Sequence, residues 1–185
     1  NHGYSRVGVA ACYRSYHHDP KNVVIHLIFI PVLTFTSLLM ATTTGDFIQL
    51  PYIPINGAAL IAGAYLLTYF LMEPVAGASM IPVVGALLWH LNKLHAEYGA
   101  QAILVAGIVN VLAWIAQFIG HGVFEKRAPA LKDNLVQAFL LAPFFVWFEL
   151  LFSCGYRPEL YERVERQAVA AINKYRAEQK NGKAK

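Results

Sequence analysis

The sequence predicts an all-α membrane fold: a polytopic helical bundle of four spanning helices with a broken or re-entrant fifth segment. Composition points there first. Of 185 residues, 57% are hydrophobic and only 14% are charged, where an ordinary soluble domain has about a quarter charged. The charges are also unmixed. Residues 23–45, 47–72, 74–92 and 98–124 contain no Asp, Glu, Lys or Arg, and their only histidines are His26, His90 and His121. Each run is long enough to cross a hydrocarbon core of about 30 Å, which takes about 20 helical residues. A soluble chain of this size breaks such runs with surface Lys or Glu.

The opening 22 residues, NHGYSRVGVAACYRSYHHDPKN, have no apolar core of signal-peptide type, and the initial Asn reads as a missing or processed start. The first helix then has a clear beginning. Asp19 is a good N-cap and Pro20 follows at the first helical position, where its missing N–H costs nothing. The helix runs through VVIHLIFIPVLTFTSLLMA, with a kink expected at Pro31, and TTTGD ends it. A second span covers 55–72 and closes at Glu73-Pro74. The third, PVAGASMIPVVGALLWHL, is interrupted by Gly77, Pro82 and Gly85 and reads as a weaker helix. The fourth, 100–119, is cleaner. Its small residues Ala100, Ala102, Ala106 and Gly107 suit close packing in lipid and permit a dimer. The fifth, LVQAFLLAPFFVWFELLFSC, carries Pro143 centrally and Glu149 near its end.

Lys and Arg set the topology, because cytoplasmic loops are enriched in both. Arg6, Arg14 and Lys21 precede the first span, Lys126, Arg127 and Lys132 follow the fourth, and the C-terminal tail is basic; the 42–54 loop has only Asp46. Four crossings put all three basic zones on one side, so the fifth segment enters and leaves on that side. Non-helical backbone at depth survives when buried in protein. Five crossings, with one basic zone misplaced, is the alternative. Residues 1–158 then form a membrane-embedded catalytic domain and 159–185 a basic cytosolic helix or tail, solvated, whose cations can touch anionic headgroups. The net charge of +4 sits mostly in that tail. No nucleic-acid module and no internal repeat are visible. Cys12 and Cys154 stand alone, without metal spacing.

This topology brings His17, His18, His26 and His121 to one membrane face. The Asp19-Pro20 turn lets His17 fold back towards His26. In GHGVFEKRAPAL, His121 and Glu125 are four apart, so a helical turn puts both on one face. Gly120 and Gly122 leave room for another group to approach His121. Neutral imidazoles with a carboxylate suit Zn, Fe or Cu, and ionisable groups at membrane depth mark functional sites. Glu149, on the same side, can hold a ligand from behind or pair with Arg127 or Arg157. His90 and His95 fall at the far face. Taken singly, an interfacial histidine is more often a polar anchor or a hydrogen-bonded core residue than a ligand; convergence from separate segments is what favours a metal.

Two stretches, YHHDPKNVVIH and QFIGHGVFEKRAPALKDNLVQAFLLAP, resemble the fungal and plant family of 2-hydroxy fatty acid dioxygenases. The likeness runs over about 13–158 and is most specific at 117–143. The resemblance implies an endoplasmic-reticulum enzyme dependent on Fe(II), acting in phytosphingosine breakdown to odd-numbered fatty acids. It takes a long-chain 2-hydroxy fatty acid and O2 and releases CO2 and the acid one carbon shorter. The family motifs Y-H-x-x-P-x-N-x-x-x-H and G-H-x-x-F-E fall on His17, Asn22, His26, His121 and Glu125. They imply His17, His26 and His121 as metal ligands, with Glu125 and Asn22 as catalytic residues. His18, His90 and His95 remain as further metal candidates, the last two outside the motifs. Lys126, Arg127 and Lys21 are placed to bind the substrate carboxylate, and Phe29, Phe118, Phe144, Phe145 and Trp147 to wall an acyl tunnel. The competing readings are another metal-dependent membrane lipid hydroxylase or hydrolase, and a non-enzymatic scaffold that binds membrane lipid. Desaturase-type di-iron sites use some eight histidines in close boxes; this chain has seven histidines, without the boxes.

Overall fold

The computed structural model describes Arg14, residues 19–125 and residues 135–183, with side chains for all of these except 125, 135–138, 175, 176 and 178–183. His2, Cys12, His17, His18, Lys126, Arg127 and Lys132 lie outside the described residues. Among the described residues from 19 onward, five α-helices follow in order: α1 Pro20–Ala41, α2 Gly57–Met72, α3 Pro74–Ile119, α4 Leu135–Ser153 and α5 Pro158–Lys183. A π-helical turn, Gly120–Glu125, extends α3. The described residues contain no strand beyond an isolated antiparallel bridge, Ile48 to Ile55.

α1 starts as its sequence dictates. The Asp19 carboxylate accepts from the Lys21 backbone N–H at 2.8 Å, and Pro20 opens the helix. It stays a single helix through Pro31 and ends in the 3-10 turn Thr42–Thr44. α2 is capped by Asn56, whose side chain accepts from Ala59 N–H. Glu73 closes α2 and caps α3, accepting from Ala76 N–H at 2.6 Å.

The third segment differs from its expectation. It is a regular helix through Pro82 and Gly85. Gly77 is a packing position, since a Cβ there would meet the Phe70 backbone nitrogen at 2.5 Å. The break lies at Gly99, with φ 50° and ψ −127°, a conformation that glycine reaches without strain. Contacts on either side fix the path. His95 meets Thr42 at the end of α1, whereas Asn110 reaches back to Thr36 and Ser37, and His121 to His26. The chain therefore turns back at Gly99. α1, α2 and the two arms of α3 traverse the bundle four times, between a near end holding Asp19 and the π turn and a far end holding Thr42, Asn56 and Gly99.

Leu38, Leu39, Ala58, Ala62, Leu88, Leu91 and Ala106 form the far-half core. Ala102 also packs there, so part of the small-residue stripe is used within the chain. Tyr69, Ala76, Met80 and Phe144 form the near-half core, with α4 laid against it. α4 is continuous through Pro143 rather than broken there. Two stretches, Pro20–Thr44 and Pro74–Phe124, are long and apolar enough to cross a membrane; Gly57–Met72 and Phe139–Ser153 are shorter apolar helices. Leu67, Leu71, Leu104 and Val105 are more than half exposed. α5 is not simply solvated. It buries Val164, Ala168 and Ile172, one face at four-residue spacing.

Candidate functional site

α1 and the π turn meet at the near end. Asn22 and His26 are one turn apart on the buried face of α1, at 0% and 6% exposure, and His121 is buried equally deeply at 6%. The His26 and His121 rings stand edge to face, centroids 4.8 Å apart and planes at 81°. His26 Nδ1 lies 2.9 Å from the Asn22 carbonyl oxygen. A carbonyl only accepts, so Nδ1 carries the proton and Nε2 the lone pair. Gly120 makes the approach possible: a Cβ there would overlap Asn22 Oδ1. At Gly122 a Cβ would meet nothing within 4 Å among the described residues. π turns inside helices are frequent at functional sites, and this one carries His121.

A small cavity of about 20 Å³ adjoins His26, lined also by Val23, Leu27, Phe145, Val146, Glu149 and Arg14. It admits about one water-sized group. Glu149 pairs with Arg14 rather than with Arg157, which pairs with Glu73 at 3.0 Å; the expected pairing with Arg127 lies outside the described residues. Arg14 also holds Glu165 of α5 at 3.1 Å. Burial works against the Arg14 charge, but the two carboxylates outweigh it and raise its pKa above the ordinary value.

The structure brings His26, Asn22 and His121 together. It leaves the others apart. His95 bonds Thr42 Oγ1 at 2.8 Å at the far end, and His90 lies 6.3 Å from the Phe35 ring. Lys21 sets its ammonium over the Phe124 ring at 5.5 Å. His17, His18, Lys126, Arg127 and the Glu125 side chain lie outside the described residues; the Glu125 backbone closes the π turn. Among the described residues no three His, Cys, Asp or Glu side chains converge as a metal cage. Among the described residues, the aromatics expected to wall an acyl tunnel divide between the His26 cavity and other contacts. Phe145 lines that cavity, but Phe144 stacks on Tyr69 at 4.4 Å, Trp147 bonds Ser79, and Phe118 is 49% exposed.

Sequence reasoning passed over Arg14 and Gln117. Arg14 gave no signal, because its partners are 135 and 151 residues away. Gln117 gave one: it stands four residues before His121 in an otherwise apolar run.

A helical bundle with an apolar exterior and a buried imidazole pair at one end is the class this architecture defines. The family model described as 2-hydroxy-palmitic acid dioxygenase Mpo1-like matches residues 7–154, and the chain belongs to that family. It is similar to the 2-hydroxy-palmitic acid dioxygenase MPO1 of Saccharomyces cerevisiae, 38% identical over 154 residues that cover 83% of each chain. No solved structure matches it.

Proposed function

We propose that this chain is an Fe(II)-dependent dioxygenase of the endoplasmic-reticulum membrane. It cleaves long-chain 2-hydroxy fatty acids with O2 to CO2 and the fatty acid one carbon shorter. The observation that carries the proposal is the buried His26–His121 pair, lying within the stretch matched by the family.

The donor set fits iron. Histidines that bind metal donate their other ring N–H to a fixed acceptor, as His26 does to Asn22. Two imidazoles and a carboxylate with open positions suit a non-haem ferrous oxygenase. His26, His121 and His17 would hold the ion, with Glu125 as the carboxylate. Ferrous iron bound there supplies a meeting point for O2 and the chelating carboxylate and hydroxyl of the substrate. The reaction balances without another reductant: RCH(OH)COOH + O2 gives RCOOH + CO2 + H2O. The C1–C2 bond breaks, C2 rises to the carboxylic level, and the electrons it loses with C1 reduce O2.

The chain's own residues do the rest. Lys21 stands at the mouth of α1, where its cation attracts the substrate carboxylate, and Lys126 and Arg127 lie in the segment that follows the π turn. Leu27, Phe145 and Val146 narrow the His26 side to room for about one water-sized group. An acyl chain exceeds the cavity there, so it lies along the exposed apolar flank of Val24 and Ile28, more than half exposed on α1. The four bundle passes are four membrane crossings, with α4 on the basic side. α2 spans about 24 Å at 1.5 Å per residue over 16 residues, close to the roughly 27 Å of the reticulum bilayer.

Detergent-purified protein given 2-hydroxypalmitate labelled at C1 tests this. Labelled CO2 and pentadecanoic acid should form with Fe(II), stop on chelation, and resume on adding Fe(II) but not Zn. Full activity in iron-free protein, or no product with iron present, overturns it.

A further inference from the structure

Gln117 is 5% exposed, and its Nε2 has no hydrogen-bond partner among the described residues. It sits on the α3 stripe that faces α1, with Ala106, Asn110 and Ala113 before it and His121 one turn after, about 6 Å along the axis. The pairs Thr36–Asn110 and His26–His121 set it level with Phe29 and Ile30 of α1, whose side chains offer no acceptor. Asn110, two turns away on the same stripe, is the contrast. Its amide donates to Thr36 Oγ1 at 2.8 Å and Ser37 Oγ at 3.0 Å. A buried donor with no acceptor is destabilising, and an apolar side chain of the same shape would remove that cost. In an apolar bundle no bulk water relieves it. A donor kept in such a place, one turn from the histidine pair, has its acceptor in a ligand.

We infer that the Gln117 amide donates through Nε2 to a carboxylate or hydroxyl oxygen of the 2-hydroxy acid held at the His26–His121 pair, as a substrate-binding residue. The inference rests on the dioxygenase reading above. The amide acts from the deep side, opposite the cations at the membrane face, so it fixes the head group in depth as well as in charge.

Gln117→Met and Gln117→Leu delete the amide and keep much of its volume. Three measurements follow: melting of metal-free protein, the melting shift given by 2-hydroxypalmitate on ferrous protein under argon, and steady-state turnover. The variants should melt at or above the wild-type temperature. Their ligand shift should shrink and their KM should rise roughly 10- to 100-fold, the loss of one hydrogen bond to a charged or polar head group. Melting of both variants well below wild type would show the amide holding the fold and overturn the assignment. Unchanged KM and ligand shift would overturn it too. A wild type that turns over while the variants match it sinks Gln117 alone; a wild type without turnover sinks the dioxygenase reading and this assignment with it.

Discussion

Both ends of the bundle bury polar side chains, and they treat them differently. At the far end Asn56, 1% exposed, bonds Asn92 at 2.7 Å and Asp46 at 3.3 Å and caps α2, while His95 bonds Thr42. Those groups serve one another. At the near end the His26–His121 pair adjoins a cavity that Leu27, Phe145 and Val146 share with the Arg14–Glu149 ion pair, a π turn opens the helix, and the Gln117 amide donates to nothing described. Buried polarity alone is therefore no sign of a site. A closed set of hydrogen bonds holds the fold, whereas a buried donor such as the Gln117 amide, without an acceptor among the described residues, is left for a ligand.

Substitutions at the two ends should separate these roles. The largest effect belongs to His121→Ala and His26→Ala, each expected to lower turnover of 2-hydroxypalmitate at least 100-fold and to reduce bound iron measured by elemental analysis, with the helical circular dichroism retained. Loss of a metal ligand's partner alone costs 10- to 100-fold, so loss of the ligand costs more. Gly120→Ala comes next. Its methyl must displace the Asn22 side-chain amide that packs beside the histidine pair; turnover should fall about 10-fold, alongside a lower melting temperature. Asn56→Ala at the far end strands buried partners. It should destabilise by about 1–3 kcal/mol in denaturant melts and leave KM and iron content of the folded fraction unchanged. A KM change there would erase the contrast between the ends. Gly122→Ala should be the mildest, within about 0.5 kcal/mol of wild type and fully active, since nothing among the described residues lies within 4 Å of the added methyl.

A good part of this was legible in the chain itself. The Asp19-Pro20 start of α1 followed from capping chemistry, and the charge-free runs marked the apolar helices before any contact was known. Pro82 and Pro143 misled, because a proline inside an apolar helix reads as a break. The helices run on through both, since neighbouring elements hold them: Met80 and Trp147 pack in the same near-half core. The reversal falls at Gly99, in the short gap holding Lys93 and Glu97 that the sequence leaves between its third and fourth spans. Its positive φ is a choice made by packing on either side of it.

The alternation of uncharged runs and basic segments determined the helical class, the order of the elements and the candidate histidines, because hydrophobic burial and helix capping act through composition and near neighbours. Which of those histidines meet was decided only by the tertiary structure. His26 and His121 are 95 positions apart, and their contact depends on a reversal at Gly99, a methyl-free Gly120 and a π turn acting together. No local preference of the chain encodes that meeting; it exists only where two helices pack closely enough for a carbonyl, an amide and two rings to share one small volume.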